Sequence, residues 1–285
     1  MIVRGNEMTQ IVGFAGKKQS GKNTACNFVV AMKLAELGIC KASRMSDVGL
    51  VEVTDVFGEN PTSEEFFPFA KPYVDVDALF DNELGEFIKV YALADTLKEM
   101  SVKILGLREE QAFGSDKDKN SKTSLRWEDM PGVISPGELR HKGFTRQQAN
   151  SLGLMVHAKG KMTAREVLQY VGTDIFRKMN HNVWINSFFS KVKSDNSEVA
   201  LVSDVRFTNE IQQIQENGGY VLGLTRDIYK GGDSHSSESE LDEALSMCDT
   251  IIDNSNLTLA QQNEKIYRSL EHLENVLPSL VPPKS

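Results

Sequence analysis

Short continuous apolar runs alternate along this chain with stretches whose apolar residues recur at helical spacing. Gln10-Ile-Val-Gly-Phe14 is such a run and ends in a Gly/Lys/Ser loop. From Lys22 to Leu37, Ala25, Phe28, Val29, Met32, Leu34 and Ala35 give apolar residues at helical spacing, and Gly38 stops the pattern. Phe87-Ile-Lys-Val-Tyr-Ala92 predicts a strand, followed by a helix from about Asp95 to Leu105 that Gly106 closes. Thr163-Ala-Arg-Glu166 has the form of a capping box, in which Thr163 accepts from an amide three residues on and Glu166 reaches back. It opens a helix to about Met179, and a second runs from about Asn182 to Lys193. Glu198-Val-Ala-Leu-Val-Ser203 is a run of buried-strand type ending at Asp204. A helix near Thr208 to Asn217 follows, then a strand over Tyr220 to Thr225, a short strand at Thr250-Ile-Ile-Asp253 and a last helix from about Thr258 to Leu273. The tail from Pro278 to Ser285 is expected to fray.

Strands alternating with helices predict a mainly parallel sheet with right-handed crossovers, an α/β layer fold. Two long segments fit the alternation poorly: Ser43 to Gly85, acidic and rich in aromatics, and Ser115 to Met162, basic and punctuated by Gly and Pro. Long irregular segments inside a compact domain are often lids or binding elements. The reading is therefore one domain over 1–285 with insertions at about 43–85 and 115–162.

Composition narrows the class. Hydrophobic residues make up 40% and charged residues 25% of the 285, the balance of a globular protein. No apolar run is long enough to span a membrane, and Met1 to Gln10 lacks the apolar centre of a signal peptide, so a cytoplasmic location and no membrane partner are expected. Cys26, Cys40 and Cys248 form no CxxC pair, which points away from a disulfide framework or a zinc site. The net charge of −8 argues against strong nucleic-acid binding. The charge is uneven: Gly114 to Arg165 carries +5, leaving −13 on the remainder. A basic middle in an acidic chain fits a local anionic ligand, or a solvated loop bearing lysines.

Gly16-Lys-Lys-Gln-Ser-Gly21-Lys22-Asn23-Thr24 fits G-x4-G-K, with Asn23 in the slot usually held by Ser or Thr. Such a loop directs backbone N–H groups at phosphate oxygens, the following helix adds its positive end, and Lys22 charges the β/γ region. With Gly near 7% and Lys at about 6%, the pattern arises by chance in roughly one chain in twelve of this length. The strand before it and the amphipathic helix after it are what favour a phosphate loop. Thr24 is the nearest hydroxyl for Mg²⁺.

Asp204 ends a buried strand, the edge at which ligands of parallel sheets bind, and could hold Mg²⁺ or cap the next turn. Arg206 could reach a transferring phosphoryl group or lie on the surface. Asp95 and Lys98 fit a strand's carboxyl edge or a solvated i, i+3 pair. Arg126-Trp127 suits a base plus a phosphate, or an anchored loop, and Lys117 and Lys122 have the same two readings. His235, in Asp233-Ser-His-Ser-Ser-Glu238, sits in a polar loop.

Taken in order, Gly16 to Thr24, Val171-Gly-Thr-Asp174, Ser203-Asp-Val-Arg-Phe-Thr-Asn-Glu210 and Asp233 to Glu238 resemble the deoxynucleoside monophosphate kinases of tailed bacteriophages. Leu93-Ala-Asp-Thr-Leu-Lys98 is similar to the family's Ala-Asp-Pro-Leu-Lys-type segment, with Thr96 in place of proline. Ser43 to Gly85 and Ser135 to Lys161 do not match it. The resemblance implies a three-layer P-loop kinase fold with a mainly parallel five-stranded sheet and inserted NMP-binding and lid segments. It implies transfer of the γ-phosphoryl group of ATP, with Mg²⁺, to dNMPs, giving dNDPs for phage DNA synthesis. Gly16, Lys17, Ser20, Gly21, Lys22, Asn23 and Thr24 would bind ATP. Asp95, Lys98, Lys117, Arg126, Trp127, Gly172, Thr173 and Asp174 would serve the dNMP. Lys22, Arg126, Asp204 and Arg206 would be catalytic, Thr24 and Asp204 would hold metal, and His235 and Glu238 would lie in a flap. The family usually has Asp where this chain has Asn23. A kinase for another acceptor, such as a modified base in DNA or a cofactor precursor, and a nucleotide-hydrolysing switch are the alternatives. A homodimer is left open.

Overall fold

The computed structural model describes residues 3–4, 7–56, 66–69, 84–226, 241–273 and 276. Two compact units divide the chain: 1–93 together with 184–285, and 94–183.

The first unit is built on a five-stranded, all-parallel sheet. Its strands are β1 (Gln10–Gly16), β2 (Ile88–Tyr91), β3 (Val199–Val205), β4 (Tyr220–Thr225) and β5 (Thr250–Asp253). The order across the sheet is β2-β3-β1-β4-β5. Register follows the apolar runs: Val199 stands opposite Gln10 on one side and Ile88 on the other, and Leu222 stands opposite Phe14 and Thr250. The expected α/β class and parallel sheet are thus observed.

β1 is central and buried along nearly its whole length because both of its faces are covered. Val12, Phe14, Leu201, Leu222, Leu224 and Ile252 face α1 (Lys22–Glu36) and the helix Leu259–Leu270, packing on Ala25, Val29, Leu34, Ile266 and Leu270. The intervening positions serve the opposite layer. A Cβ on Gly13 would lie 3.1 Å from Ile214 Cδ1 and 3.2 Å from Val205 Cγ2, so glycine lets the helix Thr208–Glu216 sit close on the sheet. The helix Val183–Asp195 sets Phe188 edge-on against Tyr91 at 5.4 Å, and the Tyr91 hydroxyl donates to Asp195 at 2.9 Å.

The segment read as an irregular insertion from Ser43 begins in regular structure. Cys40–Met45, Val51–Val56 and Phe67–Pro68 form a three-stranded antiparallel sheet. Its turn docks on α1, where Asn27 Nδ2 donates to the Gly49 carbonyl at 3.2 Å.

The second unit holds the helix Asp95–Lys103, the antiparallel pair Lys122–Arg126 with Lys161–Thr163, and the helix Ala164–Gln169. The helix expected to run unbroken from Thr163 to about Met179 changes character: Tyr170–Arg177 is a π-helix. Its start is as expected, with Thr163 accepting from the Glu166 amide at 3.1 Å. A small satellite core of Ile134, Leu139 and Ala149 sits beneath the short helices Pro136–His141 and Arg146–Ser151.

Candidate functional site

β1 delivers the chain into the glycine-lysine loop at Gly16, where φ is +154°. A Cβ at Gly16 would lie 2.5 Å from the Leu224 carbonyl and would also strike the Ser20 hydroxyl, so no side chain fits. Gly21, at φ +94°, ends the loop as the N-cap of α1 and has no side chain to cap that helix. The Lys22 ammonium folds back over the loop, donating to the carbonyls of Gly16 at 2.7 Å and Lys17 at 2.6 Å. Ser20 is buried, Asn23 is exposed, and Thr24 lies half-buried against Gly49. Lys17 pairs with Asp242 at 3.0 Å.

The parallel register brings the ends of three strands to one edge. Val205 stands opposite Ala15, and Leu224 stands opposite Gly16. Asp204 therefore flanks the loop strand. Its Oδ1 accepts the Leu93 amide at 2.6 Å, which ties it to the end of the β2 segment. The Cys26 thiol, buried in α1, senses both charges of this edge. Burial pushes its pKa up most, the Asp204 carboxylate pushes it further, and the Lys22 ammonium opposes them. Lys22 and Asp204 thus act electrostatically on one buried point.

Beyond Asp204, the turn to the next helix is fastened by Glu210, which is 2% exposed. Its carboxylate accepts the amides of Arg206 at 2.8 Å and Phe207 at 3.1 Å. This satisfies two donors at a helix start with a favourable negative charge. Glu210 closes the Ser203–Glu210 motif, but its spacing does not reveal that it holds Arg206's backbone.

The same edge opens on a cavity of about 260 Å³ lined by Lys17, Leu224, Thr225, Arg226, Asp242, Leu245, Asp253 and Ser255. Leu224 and Leu245 supply apolar wall, and the remaining side chains are polar. Arg226 Nε is buried and has no partner among the described residues. Asp253 accepts the Ser255 amide at 3.0 Å, the main reason its carboxyl lies below the usual range. None of Arg226, Asp242, Asp253 or Ser255 was a sequence candidate, since only the convergence of three strand ends makes them neighbours.

In the second unit, Asp95 and Lys98 form a half-buried i, i+3 pair at 2.9 Å. Lys98 also stands 5.3 Å from the ring centre of Phe113. Lys117 is exposed on the short helix Asp116–Lys119. Arg126 is exposed and binds Glu128 at 2.7 Å. Trp127 is buried: it stacks on His157 with ring centres 3.9 Å apart and meets Tyr170 edge-on at 5.6 Å. Its amide donates to Gly160 at 2.9 Å, which makes it the anchor of its loop. Gly172 is buried against Leu97, whose Cδ2 a Cβ would approach to 2.6 Å. Thr173 is half-buried on the π-helix, and Asp174 pairs with Lys178 at 3.2 Å. Asp174 and Lys178 line a second cavity of about 340 Å³ with Pro131, Gly132, Gly153, Met155, Tyr170 and Ile175. His235 and Glu238 lie outside the described residues.

Among the described residues no group of three His, Cys, Asp or Glu side chains is set to hold a metal by itself, and no helix is long and apolar enough to cross a membrane.

A parallel sheet ordered β2-β3-β1-β4-β5, with a glycine-lysine loop following its central strand, is consistent with a P-loop kinase-like fold. The model of the deoxynucleotide monophosphate kinase family matches residues 133–266, a little under half of the chain. A protein of Acanthamoeba polyphaga mimivirus, provisionally named a deoxynucleotide monophosphate kinase, is 36% identical over 91 residues, covering 28% of this chain and 47% of the relative. The chain thus spans about half the length of the curated relative it matches. The resemblance to viral deoxynucleoside monophosphate kinases is borne out over this segment, which holds Gly172 to Asp174, Asp204, Arg206 and Glu210 but not the glycine-lysine loop.

Proposed function

We propose that this chain transfers the γ-phosphoryl group of ATP to deoxynucleoside monophosphates, for viral DNA synthesis in the host cytoplasm. The observation that carries the reading is the carboxyl edge of the sheet. There the Gly16–Thr24 loop, Asp204 and Arg206 stand together, and the last two fall within the segment that matches the kinase family.

The ATP phosphates would lie on the loop amides of Gly16 to Thr24, facing the Lys22 ammonium. The cavity beside the loop, with apolar walls and polar Arg226, Asp253 and Ser255, suits the donor's base and ribose. The dNMP is assigned to Asp95, Lys98, Lys117, Arg126, Trp127, Gly172, Thr173 and Asp174, with His235 and Glu238 as a flap. An acceptor phosphate oxygen attacks the γ-phosphorus, the bond to the β,γ-bridging oxygen breaks, and ADP leaves. Little covalent work falls to the protein, so Lys22, Arg126 and Arg206 act by placing positive charge on the phosphates. Asp204 and the Thr24 hydroxyl offer hard oxygen donors of the kind Mg²⁺ takes, and a nucleotide-bound Mg²⁺ needs only one or two protein oxygens besides phosphate. When bound, it would neutralise phosphate charge.

Incubation with γ-labelled ATP and a dNMP tests the reading. Label recovered in a dNDP supports it, and label released only as inorganic phosphate contradicts it.

A further inference from the structure

Asn254, in the turn after β5, and Gln262, on the helix Leu259–Leu270, form a buried pair of side-chain amides. Asn254 is 1% exposed and Gln262 is 6% exposed. Asn254 Nδ2 donates to the Ser20 carbonyl at 2.9 Å and to Gln262 Oε1 at 2.6 Å. The loop rests directly on this pair: a Cβ on Gly21 would stand 3.3 Å from both Asn254 Nδ2 and Gln262 Oε1. Asn254 Oδ1 and Gln262 Nε2 are buried without a partner among the described residues. Two buried amides with half their capacity unmet are costly, so packing alone is a poor reason to place them here. On either side of Asn254, Asp253 and Ser255 line the 260 Å³ cavity, and Ser255 Oγ donates to the Thr225 carbonyl at 3.3 Å. One three-residue turn therefore forms cavity wall and holds the phosphate loop.

The Ser20 carbonyl and the Gly21 N–H belong to one peptide unit. A planar trans peptide points its N–H opposite to its C=O. Holding the carbonyl toward Asn254 thus fixes the Gly21 N–H away from it. We propose that Asn254 is a positioning residue for the phosphate-binding loop: it orients the Ser20–Gly21 peptide, and Gln262 in turn orients Asn254. The proposal rests on the reading of Gly16 to Thr24 as a phosphate loop and is independent of the acceptor.

Titration calorimetry with Mg-ATP and with inorganic tripolyphosphate tests it, with melting curves recorded alongside. Asn254→Ala strands a buried carbonyl, and is expected to weaken both ligands by the same factor, about tenfold. The KM for the dNMP should stay within about twofold, because the lost interaction serves the loop alone. Gln262→Ala should act in the same direction with a smaller factor, and it carries the test if Asn254→Ala does not fold. Unchanged affinities in a folded variant would overturn the proposal. So would a loss confined to ATP, which would place Asn254 against the nucleoside. Wild-type protein that binds tripolyphosphate but transfers nothing to a dNMP would overturn the acceptor reading and leave this one standing.

Discussion

Asp204 Oδ1 accepts the backbone amide of Leu93 at 2.6 Å, joining the end of β3 to the chain leaving β2. The bond uses one carboxylate oxygen for architecture, while under the proposed function the charge would serve the phosphates. The two roles can be separated by changing charge without shape. Asp204→Asn keeps an acceptor for the Leu93 amide but removes the charge. Turnover should fall by about 100-fold or more, with the melting temperature nearly unchanged. Steady-state kinetics and circular dichroism decide it. A large drop in melting temperature with modest loss of turnover would make Asp204 architectural only.

Gly16 admits no side chain, because a Cβ would lie 2.5 Å from the Leu224 carbonyl. Backbone cannot move aside as a flexible side chain would. Gly16→Ala should cost at least about 2 kcal/mol of stability. Urea unfolding measures this, and a variant as stable as the wild type would show that β1 and β4 do not meet as described.

Arg206 is held through its own backbone by Glu210 at 2.8 Å. If its guanidinium acts on the transferring phosphoryl group, Arg206→Ala should lower kcat by about 100-fold with little change in KM. A rise in KM with unaltered kcat would assign it to ground-state binding.

Glu128 is held at a pKa of about 2, against 4.5 ordinarily, first by accepting the Gly160 amide at 2.7 Å and further by Arg126. A carboxylate with a depressed folded pKa contributes stability that is complete above its unfolded pKa and vanishes as pH falls through the folded one. The melting-temperature gap between wild type and Glu128→Gln should therefore be constant above about pH 5 and close as pH falls toward about 2. A gap that persists at the acid end would mean that the charge of Glu128 is not what fastens the loop.

The central sheet and the glycine-lysine loop after its middle strand were legible because each left a local signature. Buried parallel strands read as continuous apolar runs, and Gly16 to Thr24 follows one directly. Cys40–Met45 and Val51–Val56 were missed although Val51, Val53 and Val56 are apolar. Glu52, Arg44 and Lys41 make such a half-solvated sheet read as a polar insertion. The π-helix Tyr170–Arg177 shares its residues and its apolar stripe with an ordinary helix, so periodicity could not separate the two. Asn254 and Glu210 are polar residues at strand and helix ends, where exposure is the rule. Their burial comes from what packs over them, which sequence spacing does not encode. The cavity residues Arg226, Asp242, Asp253 and Ser255 meet only through strand order.

The most direct test of the account is ADP formation from ATP and Mg²⁺ in a coupled assay. Each of dAMP, dCMP, dGMP and dTMP and the matching ribonucleotides is offered in turn, with Lys22→Ala as the blank. The account predicts that one or more deoxynucleoside monophosphates stimulate ADP formation well above the rate with ATP alone, and that the Lys22→Ala variant loses this response. ADP formation that no mononucleotide stimulates, in protein that binds ATP, would contradict it.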